Sequence, residues 1–156
     1  MMIDVVNLQR KIKLDLAPIR AFVADLLASV EESANATFTV AFIGDGRMKQ
    51  LNELFRNKNT TTDVLSFPNE PDDFAGSTDF SRQPAEGGTP NAVFLGDIVI
   101  SAEQAQKQAA ENGLSLDAEI KQLILHGLLH LCGHDHETDN GEMNTRELDL
   151  RNKLGI

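Results

Sequence analysis

The four histidines of the chain, His126, His130, His134 and His136, all lie within the stretch "LILHGLLHLCGHDHETD". His126 and His130 are four residues apart in a segment with a helical pattern, so their side chains share one face and can bind one ion. Because the rest of this helix is apolar, two unpaired imidazoles would cost about 1–3 kcal/mol each as buried polar groups. The pair therefore predicts a metal site.

A third ligand is predicted just after the helix. Gly133 is suited to a left-handed helix terminus, which lets the chain turn back. The spacing H-x3-H-x2-G-x2-H then favours His136 and directs His134 elsewhere. Three neutral imidazoles leave the fourth tetrahedral position for water, as in catalytic zinc sites. We expect one divalent ion and favour zinc, although three histidines also suit nickel, copper or iron.

The same spacing is similar to that of the metzincin metalloproteases, H-E-x-x-H-x-x-G-x-x-H. Their general-base glutamate corresponds to Gly127 in this chain. Peptide hydrolysis would therefore need a base from elsewhere, such as Asp97, Asp135 or Glu137. A metzincin-like metallopeptidase remains an alternative function.

Three stretches, "HGLLHLCGHDHE", "FRNKNTTTDVLSFPNE" and "LGDIVIS", resemble the YbeY family, the bacterial metal-dependent endoribonucleases of ribosomal RNA maturation. The family signature H-G-x-L-H-L-x-G-x-D-H is met at every fixed position from His126 to His136. The resemblance implies that His126, His130 and His136 bind a zinc-type ion and that Arg56 is a catalytic residue beside it.

The resemblance also implies a single-strand-specific endoribonuclease acting in 3′-end maturation of small-subunit ribosomal RNA and in ribosome quality control. Its partners would be ribosomal RNA and the small ribosomal subunit, in the cytoplasm, without a nucleotide cofactor. A non-enzymatic ribosome-assembly factor, in which the metal stabilises the fold, is a further alternative.

The chemistry of RNA cleavage agrees with these residue types. Phosphodiester cleavage develops negative charge on the nonbridging oxygens, and a metal ion and the fork of Arg56 can stabilise that charge. Asp63, Asp97 and Asp135 are candidate acceptors for the free N–H of a ligand histidine. Asp63 and Asp97 could equally satisfy backbone groups at strand ends.

The elements that must position these residues follow from hydrophobic periodicity and turn signals. Strands are predicted at 3–7, 37–43, 63–67 and 94–101. Helices are predicted at 18–32, in the stretch "GDGRMKQLNELFR" with an end near residue 55, and at 102–112, 116–132 and 142–154. This order predicts one α+β domain over 1–156, with a four-stranded mixed sheet, about five helices and the histidines on a central buried helix.

Composition supports one globular domain, since 156 residues with 41% hydrophobic and 24% charged residues suffice for a core. No apolar run approaches the roughly 20 residues of a membrane span, and a single cysteine fits a reducing compartment. The net charge of -10 disfavours non-specific nucleic-acid binding outside a local basic cleft. The acidic stretch 69–92, rich in Pro, Gly and Ser, predicts a mobile loop.

Overall fold

Four segments rich in β-branched and aromatic residues form the sheet, as their composition predicts. The computed structural model describes residues 4–29, 36–69, 93–132 and 141–156. Its strands are β1 (Asp4–Asn7), β2 (Ala36–Ile43), β3 (Val64–Pro68) and β4 (Val93–Ser101). They lie in the order β1-β2-β4-β3, with β1, β2 and β4 parallel and β3 antiparallel to β4.

The described residues also form five helices, α1 (Leu16–Ser29), α2 (Asp45–Arg56), α3 (Ala102–Asn112), α4 (Leu116–Leu131) and α5 (Glu142–Leu154); the first four contact the sheet, and α5 packs on α4. Helix α1 begins two residues before Pro18, which still lies in the first turn, where a missing N–H breaks no helical bond. The predicted α+β class, the mixed four-stranded sheet and the five helices are confirmed.

The two faces of the sheet carry different helices because side chains alternate along a strand. On one face Ile98 and Ile100 of β4 join the main apolar cluster, which includes buried residues of α1 and α4. On the other face Val99 packs with Ile43, Leu65 and Met48, the last from α2. Helices α4 and α2 therefore cover opposite faces of the sheet.

Helix α4 begins where Ser115 accepts a hydrogen bond from the Ala118 N–H at 3.1 Å, an N-cap that satisfies one of the free donors of the first turn. Its central residues are buried, with Ile124, Leu125 and Leu128 fully inaccessible. Most of α4 is thus inside the protein, and His126 and His130 are only partly buried among its apolar residues.

Some predicted features lie outside the described residues. These are Ile3, the end of the first predicted helix, residues 70–92 of the predicted loop, and residues 133–140, which include Asp135 and His136. No helix in the described ranges is both long and apolar enough to cross a membrane.

Candidate functional site

His126 and His130 lie one turn apart on α4, and their Nε2 atoms are 3.1 Å from each other. The two rings meet edge to face, with centroids 4.7 Å apart and an interplanar angle of 77°. Both imidazoles are only partly buried, the His126 side chain being 33% exposed. The i, i+4 spacing thus places two converging nitrogens on the accessible side of a buried helix.

This geometry fits two ligands of one metal ion. Two imidazole nitrogens on a tetrahedral zinc at about 2.0–2.1 Å would lie about 3.3–3.4 Å apart. The observed 3.1 Å is near that value. Within the described ranges no three His, Cys, Asp or Glu side chains form a cluster able to hold a metal. The described residues therefore offer two candidate ligands, and His136, the predicted third, lies outside them.

A carboxylate that was not predicted from the sequence contacts this pair. Oε1 of Glu147, on α5, lies 2.7 Å from Nδ1 of His126. Its second oxygen, Oε2, accepts a hydrogen bond from Nη2 of Arg151 at 2.6 Å. Glu147 is 8% exposed. Its carboxylate is therefore largely shielded from water and contacts His126 and Arg151 instead.

The surroundings of Glu147 determine its charge. Burial alone raises the pKa of the carboxyl, but the hydrogen bond with His126 and its electrostatic attraction lower that pKa, as does Arg151. The net effect is a pKa of Glu147 below its ordinary value. The group is accordingly an ionised hydrogen-bond acceptor at neutral pH.

Gly127, between the two histidines, faces the sheet. A Cβ atom at this position would lie 2.9 Å from Cγ2 of Ile98 and 3.1 Å from its Cγ1 and Cδ1. The Ser66 hydroxyl of β3 also donates to the Gly127 carbonyl at 3.4 Å. Because position 127 is pressed against β4 and β3, it does not offer a side chain to the histidine face.

Two aspartates that were predicted as hydrogen-bond acceptors for a ligand histidine, Asp63 and Asp97, lie in the described residues and have other surroundings. Oδ1 of Asp63 accepts from the Val64 N–H at 2.8 Å and from the Thr62 hydroxyl at 3.2 Å, so it satisfies groups where β3 begins. Asp97 is 4% exposed, and strand alternation directs its side chain away from the face on which Ile98 meets α4. Among the described carboxylates, the one that contacts His126 is Glu147.

Arg56, the predicted catalytic residue, is the exposed last residue of α2. The helix ends there because Asn57 adopts a left-handed conformation with φ 56°, and its N–H bonds back to the preceding turn. The neighbouring Phe55 ring packs edge to face on Phe67 of β3, with centroids 5.1 Å apart. Phe67 lies on the face of the sheet that α2 covers, whereas the adjacent Ser66 reaches Gly127 of α4, so Arg56 and the two histidines belong to helices on opposite faces of the sheet.

Comparisons with known proteins agree on one family. The family model described as Endoribonuclease YbeY matches residues 4–155. Curated relatives named Endoribonuclease YbeY include those of Nautilia profundicola, 49% identical over 72% of this chain and 68% of the relative, and Solibacter usitatus, 40% identical over 81% and 71%. The relative from Thermodesulfovibrio yellowstonii is 31% identical over 90% of this chain and 87% of its own.

The fold has a solved counterpart. The solution structure of TM1509 from Thermotoga maritima superposes with a TM-score of 0.59 over 98% of this chain and 89% of that one, at 22% identity. At that identity the likeness concerns the fold alone. The family model and the relatives above show more: the chain belongs to the YbeY endoribonuclease family.

Proposed function

We propose that this protein is a metal-dependent endoribonuclease that cleaves single-stranded RNA. The observation that carries the proposal is the 3.1 Å approach of the His126 and His130 Nε2 atoms. It occurs in a chain that the Endoribonuclease YbeY model matches over residues 4–155. A pair of imidazoles converging on the accessible side of a buried helix is a placement that binding one ion explains.

Each residue has a defined part in this proposal. His126 and His130, with His136 as the third ligand, would hold one divalent ion, for which zinc is our first choice. When bound, such an ion supplies positive charge at the scissile phosphate and lowers the pKa of a water molecule. Arg56 would bind the nonbridging oxygens of that phosphate through its guanidinium fork and stabilise the charge that develops during cleavage.

The charge of the protein requires that RNA binding be local. With a net charge of -10, the surface as a whole repels a polyanion. Exposed Arg56 and Lys58 place positive charge where α2 ends, next to the contact of Phe55 with Phe67 of the edge strand β3. We expect RNA affinity to fall as salt rises, with a slope that reports a small number of phosphate contacts.

The position of Gly127 favours RNA hydrolysis over peptide hydrolysis. In a metzincin-like peptidase this position would carry the general-base glutamate. Here a side chain at 127 would run into Ile98 instead of reaching the histidine face. A metallopeptidase would therefore need its base from a position other than 127.

The biological substrate that we propose is ribosomal RNA in the small ribosomal subunit. Maturation of its 3′ end and quality control of ribosomes are the processes that the motif resemblance implies. Ribosomes from cells that lack the protein should then carry unprocessed small-subunit RNA. Restoration by the wild-type gene, but not by a His130→Ala gene, would tie that defect to the histidine site.

The activity is tested with metal-loaded protein offered three substrates in parallel: single-stranded RNA, a duplex of the same sequence, and casein. We expect cleavage of single-stranded RNA alone, lost in His130→Ala with the fold retained by circular dichroism. Asp117→Asn, purified identically, is the matched control, because it changes an exposed residue on the same helix. Casein cleavage would support a peptidase instead. A metal-bound protein that is inert toward all three substrates would support an assembly factor.

A further inference from the structure

We propose that Glu147 is a positioning residue for the metal site and that Arg151 holds it in place. Glu147 would accept a hydrogen bond from the Nδ1–H of His126, which fixes this imidazole in the tautomer and orientation that present Nε2 to the ion. The inference rests on the proposed metal site and deepens it. Glu147 would orient a ligand of the ion without binding the ion itself.

The contacts of Glu147 constrain it at both oxygens. Oε1 lies 2.7 Å from Nδ1 of His126, and Oε2 accepts from Nη2 of Arg151 at 2.6 Å. Rotation of the carboxylate would break at least one of these charge-assisted hydrogen bonds, which are stronger than neutral ones. The direction of the bond to His126 is therefore fixed from two sides.

The position of α5 supports the same geometry. Glu147, Leu150, Arg151 and Leu154 follow the i, i+3, i+4, i+7 spacing of one helix face. Leu150 is 1% exposed and belongs to the main apolar cluster with Leu128 and Leu129 of α4. Packing of this face on α4 brings Glu147 to His126 before any ion binds, so the first ligand is preorganised.

The tautomer follows from the chemistry of imidazole. A neutral ring carries one N–H, and the other nitrogen bears a lone pair. An ionised carboxylate at 2.7 Å from Nδ1 favours the proton on that nitrogen, because the other tautomer would direct a lone pair at a negative charge. Nε2, which lies 3.1 Å from Nε2 of His130, then bears the lone pair that a metal ion would take. Carboxylate–histidine pairs of this kind orient metal ligands in many proteins.

A purely structural role would leave a different pattern. In that role the Glu147–Arg151 pair, which has i, i+4 spacing on α5, would only hold Glu147 in the contact that joins α5 to α4. A tie between α4 and α5 alone would alter the stability of the fold and leave metal affinity unchanged in variants that fold. The two roles can therefore be separated by measuring the tautomer and the metal affinity directly.

The tautomer is read in the metal-free protein at neutral pH by long-range 1H–15N correlation of the histidine rings. We expect the proton of His126 on Nδ1 in the wild type and in Glu147→Gln, whose amide oxygen still accepts. We expect a mixture with Nε2–H in Glu147→Leu. A wild-type His126 with its proton on Nε2 would overturn the proposal without any variant.

Metal affinity is measured by competition between the protein and a chromogenic zinc chelator. Glu147→Leu should weaken zinc binding by about 10- to 100-fold, with Glu147→Gln in between. The matched control is Asp117→Asn, which removes the i, i+4 ion pair of exposed Asp117 with Lys121 on α4 and should leave affinity unchanged. Wild-type affinity in a folded Glu147→Leu protein would contradict the proposal. If Glu147→Leu does not fold, the single variants Arg151→Met and Glu147→Gln replace it. Wild-type zinc affinity in both of them would contradict the proposal.

These readouts do not depend on RNA cleavage, so the two proposals can fail separately. Zinc binding that requires Glu147, in a protein inert toward RNA, supports the positioning role and contradicts the proposed function. RNA cleavage with unchanged zinc affinity in Glu147→Leu contradicts the positioning role and leaves the proposed function standing.

Discussion

Gly127 lies so close to Ile98 that a Cβ atom on it would fall 2.9 Å from the Ile98 Cγ2 atom. The residue that follows the first predicted metal ligand is therefore in contact with the sheet, and the helix approaches β4 at this point because no side chain intervenes. The contact lets α4 approach β4 closely, and it leaves no room at position 127 for the glutamate side chain of a metzincin.

Gly127→Ala should destabilise the protein by about 1–3 kcal/mol, because overpacking moves Ile98 or the helix. Urea unfolding of the metal-free protein measures the change. In the Ile98→Ala background the penalty should shrink, since the two residues are in direct contact and couple in a double-mutant cycle. Gly46→Ala is the control, because a Cβ there meets nothing within 4 Å and alanine favours a helix. Equal penalties in both Ile98 backgrounds would contradict the packing explanation.

The lowered pKa of Glu147 predicts a dependence of stability on pH. Because the folded-state pKa lies below the unfolded value of about 4.3, the ionised group stabilises the fold above that value. The stabilisation is lost as pH falls through the lower folded-state pKa. Unfolding free energies of the metal-free wild type and Glu147→Gln, measured from pH 7 to pH 3, should therefore converge at the acid end. A difference that stays constant across this range would show that the charge of Glu147 does not stabilise the fold.

Arg56→Ala should lower kcat for RNA cleavage by about 10²–10³-fold, the usual effect of removing one donor to a developing oxyanion. Arg56→Lys should recover part of the loss, since it keeps the charge but not the fork. Lys49→Ala, at another exposed position of α2, serves as the matched control and should leave kcat near the wild-type value. Steady-state cleavage of a fluorescent single-stranded RNA gives these values. Full activity in Arg56→Ala would remove the residue from the mechanism.

The histidine pair was accessible to sequence reasoning because its determinants are local. The apolar periodicity and the Ser115 N-cap define α4, and the i, i+4 spacing then places His126 and His130 on one face. Helix boundaries elsewhere were predicted within a few residues for the same reason. Patterns that repeat over one or two turns depend little on the rest of the fold.

Glu147 was beyond such reasoning because its role depends on tertiary packing. In the sequence Glu147 stands four residues before Arg151, and this spacing of opposite charges is common on solvent-exposed helix faces. Only the packing of α5 on α4 brings it 2.7 Å from His126, 21 residues earlier. Asp97 shows a similar limit. The sequence indicates that Asp97 and Ile98, as neighbours in one strand, point to opposite faces of the sheet, but it does not indicate which face α4 covers.

The central claim, that one ion at the histidine pair makes this protein cleave RNA, is tested most directly by titrating metal-free protein with zinc. Bound zinc and the initial rate of single-stranded RNA cleavage are followed in the same samples. We expect the rate to rise in proportion to bound zinc and to level off at about one ion per chain, with neither signal in His130→Ala. Full cleavage by metal-free protein, or a His130→Ala protein that cleaves as fast as the wild type, would contradict the claim.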